Sequence, residues 1–388
     1  MKSGINPSIL IEEIQKYINA NLTADLHSLL LKKSPFAEVS MHEIAQQIKG
    51  KKVAEKKFPF LLRDGIVFPP NLNLEQASSQ PTAEYKAKNL KGKSFLDLTS
   101  GFGIDAYFLS QNFDEVTLVE QNTELLETVK HNWNILGRKA NLINENLEDF
   151  LQKNSQKFDL IYLDPARRDA QKNKKFLLED LSPNLLEIQE KLGIISDEII
   201  VKLSPLIDIS YLLSVVKNVS KIEIIAVKNE VKELLVFINR KNSHTDTEIK
   251  CVNLESTYPD FVFIFNDEKN AVAEYSDPQN FLYLPNNAVL KSGAFNTVAK
   301  KFKLLKLHAN THFYTSDELV KEFPGRVLEV VVIEPQQILK GEKFNIISKN
   351  YPLSPDEIKK KYKISDGGKN YLIFTQSQKG KIILRSVE

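Results

Sequence analysis

At 388 residues the chain exceeds one ordinary domain, and its 42% hydrophobic and 26% charged residues exclude wholesale disorder or a fibrous repeat. No apolar run reaches the roughly eighteen residues of a membrane helix, acids interrupt any export leader in MKSGINPSILIEEIQ, and one cysteine, Cys251, excludes an internal disulfide or a cysteine-rich metal centre. The expectation is a cytoplasmic protein with no membrane partner and no bound metal.

The first eighty residues read as helix followed by a connector. Ile9, Leu10, Ile14 and Tyr17 recur at helical spacing, as do Leu26, Leu29 and Leu30, while Ile44 and Ile48 mark a third short helix ending at Gly50. The proline-rich stretch FPFLLRDGIVFPPNLNLEQASSQPTAEY then reads as a linker or lid. From 93 to 239, short apolar runs alternate with helical patterns, which predicts a doubly wound parallel sheet. Its strands fall at 94–98, 115–119, 140–144, 160–163 and 199–203. Helices fall at 104–110, 123–136 and 177–191. The last pair, 222–227 and 233–238, has a five-residue connection and must be antiparallel. A parallel sheet closed by an antiparallel hairpin is the Rossmann-like sheet of class I methyltransferases, an α/β fold.

Further strands are expected at 248–254 and 261–265. Beyond them lies an Asn- and Leu-rich segment, then a small α+β module with helices at 317–323 and 356–363 and strands at 327–333, 344–348, 370–374 and 381–385. The predicted organisation is a helical segment and linker at 1–80, a main domain at 81–270, and small modules at 275–317 and 318–388. Net charge is only +2, yet residues 300–388 hold seventeen basic against ten acidic residues. That is the distribution of a polyanion-binding appendage on an acidic body, although ordinary solvated lysines give the same count.

Four strand ends carry the candidate chemistry. In FLDLTSGFGID, an apolar strand runs through Asp97 and Thr99 into a Gly101-x-Gly103 turn and then Asp105. Glycines allow close approach of a cofactor, and the third glycine of the dinucleotide fingerprint is replaced at Ala106. With Asp97 available to a charged amino-acid group, S-adenosylmethionine is favoured over NAD. Glu120 ends the second strand, where a carboxylate accepts ribose hydroxyls. Asn146 and Leu147, after the third strand, are candidates for the adenine. The fourth strand opens into Asp164-Pro165-Ala166-Arg167-Arg168, an acid–proline turn suited to aligning a methyl acceptor, with Asp164 and Pro165 as catalytic candidates. Arg167, Arg168 and Lys202, backed by Lys172, Lys174 and Lys175, are candidate phosphate contacts on a substrate. His308 and His312 sit four apart without a third metal ligand, and Trp133 reads as packing.

The segments DLTSGFGID, VEQN, LDPARRD, VKLSPLID and VKNEVKELLV, with QASSQPTAEYKA upstream and NNAVLKSGAF, KLHANTHFYTS and FPGRV downstream, resemble bacterial class I S-adenosylmethionine-dependent methyltransferase-like proteins carrying a THUMP-like C-terminal domain. The resemblance runs from about residue 60 onward. It implies a Rossmann-like cofactor domain, a small ferredoxin-like module and a THUMP-like domain. THUMP domains proper bind RNA. The expected activity is methyl transfer to nitrogen or oxygen of RNA, since Cys251 stands in a late strand and a covalent thiolate route needs a cysteine at the acceptor turn. An inactive RNA-binding scaffold, or a methyltransferase for small molecules or proteins, stays open because DPAR lacks the aromatic that commonly holds a planar acceptor.

Overall fold

A computed structural model of the chain describes residues 5–167, 177–241 and 246–387; of Arg167 only the backbone is described. Arg168, Lys172, Lys174 and Lys175 lie outside the described residues. The chain forms two compact units, Met1–Val219 with Val236–Ser243, and Ser220–Leu235 with His244–Glu388.

The first unit opens with α1 (Glu12–Ala20), α2 (Leu26–Leu30), α3 (Met41–Lys57), α4 (Asn71–Gln76) and α5 (Gln80–Ala87). Ile14, Ile18, Leu29, Ile44 and Ile48 close a small core between the first three. Ser40 and Glu43 form a reciprocal cap at the start of α3. Gly50 does not end α3, contrary to expectation. A Cβ there would stand 2.2 Å from that of Phe68, so glycine is what lets the proline-rich strap lie against the helix. That strap is tied down by two buried amides. The Phe68 N–H donates to Gln47 Oε1 at 2.8 Å, and the Val67 N–H to Asn132 Oδ1 at 2.9 Å; each amide nitrogen donates back to the strap's carbonyls.

There follow β1 (Gly92–Asp97), α6 (Ile104–Leu109), β2 (Phe113–Val119), α7 (Thr123–Ile135), β3 (Asn141–Ile143), α8 (Leu147–Lys153) and β4 (Leu160–Leu163). The short strands β5 (Ala166–Arg167) and β6 (Leu181–Ser182) pair antiparallel, before α9 (Leu185–Ile195), β7 (Glu198–Leu203) and α10 (Ile209–Val215). The expected helix at 177–191 therefore begins later, where Asn184 caps the Leu186 N–H after Pro183. Strands run in the order β7-β4-β1-β2-β3, all parallel. Leu160 to Leu163 are all buried, which is why the strand shows no alternation in sequence.

β8 (Val219–Val227) and β9 (Glu230–Asn239) are joined by Lys228 and Asn229, both at positive φ, a tight connection that makes the pair antiparallel. The strand order places β9 next to β7, and β8 outside β9. This is the class I methyltransferase sheet. In the second unit β10 (Glu248–Leu254) lies parallel to β8, and β11 (Phe261–Ile264) is antiparallel to β10.

The remainder comprises α11 (Asp267–Asn270), β12 (Phe281–Pro285), α12 (Asn287–Ser292), α13 (Phe295–Phe302), β13 (Leu305–Lys306), β14 (Tyr314–Ser316), β15 (Gly325–Ile333), β16 (Lys343–Ser348), α14 (Pro355–Tyr362), β17 (Ser365–Ser377) and β18 (Gly380–Ser386). These strands make one sheet in the order β13-β14-β12-β15-β18-β17-β16. Strand β15 joins the segments on either side of it: its first half pairs with β12 and its second with β18. No helix forms at 317–323. There the Tyr283 hydroxyl donates to the Glu318 carbonyl and accepts the Val320 N–H at 2.9 Å, drawing the backbone away from helical bonding. Among the described residues no helix is long and apolar enough to cross a membrane.

Candidate active site

The parallel register brings the carboxyl ends of β1, β2 and β4 side by side. Asp97, at the end of β1, is 1% exposed and accepts the Thr99 N–H at 2.9 Å. Burial raises its pKa well above the usual carboxylate value; the Thr99 N–H opposes this, while Asp105, Asp164 and Glu120 add to the rise. The turn that follows needs glycine twice, with φ of 52° at Gly101 and 74° at Gly103. A Cβ on Gly101 would meet nothing nearer than the Thr99 carbonyl at 3.8 Å, whereas one on Gly103 would press on Val129 and Trp133 at 3.1 Å. The first glycine leaves space; the second allows helix packing. Trp133 is buried behind the turn.

Glu120 accepts the Gly101 N–H at 3.0 Å and the Asn122 N–H at 2.8 Å, one on each oxygen. A carboxylate offers about four acceptor positions, so two remain. Ser100 Oγ, beside the turn, is buried without a hydrogen-bond partner among the described residues. Thr99 Oγ1 accepts the Asp164 N–H at 2.7 Å, which fixes the acid–proline turn against the end of β1. Pro165 is buried, and Asn146 caps α8 by accepting the Asp149 N–H at 2.8 Å, with Leu147 buried behind it.

Two expected contacts have other partners. Asp105, read as a cofactor residue, is 8% exposed and lies within an ionic cluster. Lys86 Nζ is 2.7 Å from its Oδ1; Ser78 Oγ and Tyr162 Oη donate to its Oδ2 at 2.8 and 2.7 Å; Lys202 Nζ is 3.4 Å from the same oxygen. Burial pushes its carboxyl up, but Lys86 and Lys202 outweigh that and hold it below the usual carboxylate range. Lys202, read as a phosphate contact at the mouth, is 9% exposed and also ion-paired with Asp164. Burial raises the pKa of Asp164, and Lys202 is the main influence against it.

Sequence reasoning missed Ser78, Ser100, Lys86 and Tyr162. Ser78 stands in the stretch that reads as a linker and Lys86 directly follows it, on a helix with buried Thr82 and Ala83. The pairing of Lys86 with Asp105, and of Lys202 with both acids, joins residues far apart in sequence.

Residues 82–192 match a family described as conserved hypothetical protein 95, residues 281–324 a ferredoxin-like domain, and residues 326–385 a THUMP domain-like family. A candidate methyltransferase from Porphyromonas gingivalis, known from its crystal structure, is 28% identical, with a TM-score of 0.86 over 99% of this chain and 100% of that one. An uncharacterised RNA methyltransferase of Mycoplasma mobile is 27% identical over 153 residues, 38% of this chain. The chain spans 42% of that relative's length. TrmK of M. capricolum, solved with S-adenosylhomocysteine, is a distant likeness at 15% identity and a TM-score of 0.33, covering 42% of this chain and 69% of that one. The resemblance to class I methyltransferase-like proteins with a THUMP-like C-terminal domain holds over the matched segments and against the P. gingivalis structure.

Proposed function

We propose that the protein transfers a methyl group from S-adenosylmethionine to a nitrogen or oxygen of RNA, without a covalent cysteine intermediate. The observation that carries this reading is the set of three strand-end acids, Asp97, Glu120 and Asp164, around a glycine turn that leaves space at Gly101. The donor set fits the cofactor: the buried carboxylate of Asp97 suits an ammonium, Glu120 keeps acceptor positions for vicinal hydroxyls, and the unpartnered Ser100 hydroxyl stands beside the turn. When bound, S-adenosylmethionine supplies an electrophilic methyl group.

The chain's own residues then hold and deprotonate the acceptor. Thr99 fixes the Asp164 backbone, Pro165 restricts the turn, and the Asp164 carboxylate takes the acceptor's proton, with Lys202 favouring its ionised form against burial. Cys251 has no part: burial pushes its thiol up to about 12, so it is not a thiolate near neutral pH. RNA as the acceptor is supported by the RNA methyltransferase relative, the THUMP-like match and the basic excess after residue 300.

The test is incubation with methyl-labelled S-adenosylmethionine and separate RNA, DNA and protein fractions. Label should enter RNA, and Cys251→Ser should label as well as wild type. Label confined to protein or to small molecules would overturn the RNA reading. Ala166 follows Pro165 where an aromatic would hold a planar acceptor, which favours an inactive RNA-binding scaffold as the second reading. Cofactor binding without label in any fraction would support that alternative.

A further inference from the structure

The KLHANTHFYTS segment of the second unit builds a cluster that methyl transfer leaves unused. Lys306, ending β13, is only 3% exposed. Its ammonium donates to the Ala309 carbonyl at 3.3 Å and stands 6.0 and 5.9 Å from the ring centroids of Tyr275 and Phe295. An ammonium has three donors, so a ligand can still be bound there. The ring of His312 lies flat on the same Phe295, with centroids 3.5 Å apart and planes 11° apart. Lysine and imidazole therefore share one aromatic support. His312 Nδ1 is buried without a partner among the described residues, and its backbone holds a φ of 57°, a conformation that costs a side chain about 1 kcal/mol or more.

His308 adds a donor. Its Nδ1 accepts the Asn310 N–H at 3.1 Å, so the ring proton of the neutral imidazole sits on Nε2. The acid that acts on Lys306, Glu268, is occupied by the N–H groups of Asn296 and Thr297, each at 2.8 Å. Lys349, exposed, acts on His312 from a second element, and Asn310 leaves the loop tip open to solvent. The result is a cationic, donor-rich cluster with a strained histidine and a buried ammonium that has donors to spare. A metal ion would be repelled by the two ammonium groups, whereas a phosphate brings acceptor oxygens and compensating charge.

We propose that loop 307–313, with Lys306 and Lys349, binds a phosphate group. Phosphate binding here is independent of methyl transfer. It gives the strained His312 a function, and it distinguishes this cluster from the diffuse lysine surface of the same unit.

Burial, with Lys306 and Lys349, holds the free His312 down to about 4. A phosphate anion beside the ring favours the imidazolium, so binding must raise that value. The experiment is imidazole NMR on the full chain, with His312 assigned by His312→Gln. The pH titration is repeated with inorganic phosphate, with a short 5′-phosphorylated RNA and with the same RNA unphosphorylated. His312 should rise by about one pH unit or more with inorganic phosphate, and Lys306→Met should abolish the rise. A response to both RNAs identifies backbone phosphate as the ligand, and a response to the phosphorylated RNA alone identifies a terminal phosphate. A response to inorganic phosphate alone identifies a free anion. An unmoved His312 titration in all three arms overturns the site. Should Lys306→Met fail to fold by circular dichroism, Lys349→Ala with His308→Gln replaces it and should at least halve the phosphate-induced rise.

Discussion

Asp97 occupies a place where folding alone would not put a carboxylate. Its folded pKa lies above the ordinary 3.8, so the folded state keeps the proton longer than the unfolded chain does. Stability therefore falls as pH rises from about 3.8 toward the folded value, by about 1.4 kcal/mol for each pH unit between the two. Asparagine can keep the Thr99 bond without the charge. Asp97→Asn should raise the melting temperature at pH 7 by several degrees, with the gain shrinking toward pH 4, while calorimetry shows S-adenosylmethionine binding weakened at least tenfold, on the order of 1.4 kcal/mol. A lower melting temperature at pH 7 would mean that the charged form is stabilised after all. The ion pair with Lys202 opposes the burial-driven rise in the Asp164 pKa, so removal of Lys202 should let that pKa climb further. In Lys202→Met the acid limb of the pH–rate profile should move to higher pH, and Lys202→Arg should restore it in part. A uniform loss of rate with the profile unmoved would assign Lys202 a purely structural part.

At the scale of elements, α5 is tied to α6 by a buried ion pair between Lys86 and Asp105. The side chain of Lys86 is 1% exposed and that of Asp105 9%, so removing one partner leaves a charge stranded. Lys86→Met should cost about 3–5 kcal/mol in a urea titration, well above the roughly 0–1 kcal/mol of an exposed pair. A cost within that exposed range would place the pair in water. The element also shows what sequence reading can reach. Strands β1, β4 and β7 are buried runs bounded by turn residues, and they were legible to within a residue or two. That Asp97, Gly101 and Glu120 stand together at the carboxyl ends of β1 and β2 is legible because strand, turn and strand-end acid are local. The ionic cluster around Asp105 is not legible, because it is built by Lys86 and Lys202, and neither bears a local mark of pairing. Gly50 and residues 317–323 were misread for the same reason. Phe68 decides the first and Tyr283 the second, through long-range packing and hydrogen bonds that no periodicity encodes.

At the scale of the molecule, the basic excess after residue 300 has to be tested without breaking the sheet that carries it. Truncation at Asn310 would remove β14 and β15 and leave β12 unpaired on both sides, so weakened binding would report a failure to fold. Charge removal on α14 and its end avoids this. Lys359 is paired with Asp356 and Asp366, whereas Lys360, Lys361 and Lys363 are exposed. Ser354 and Glu357 cap the helix independently of those three lysines, so substituting them should leave stability nearly unchanged. If they neutralise phosphates, the triple alanine variant should bind RNA more weakly at low salt and converge on wild type as salt rises. Its slope of log affinity against log salt should flatten by roughly 0.7–0.9 for each phosphate no longer neutralised. Cofactor affinity should stay as in wild type, since these lysines have no place in the cofactor site proposed around Asp97. Equal salt slopes for the two proteins would reduce the excess to a solvated surface, and RNA recognition would then have to rest on other groups, the proposed phosphate cluster around Lys306 among them.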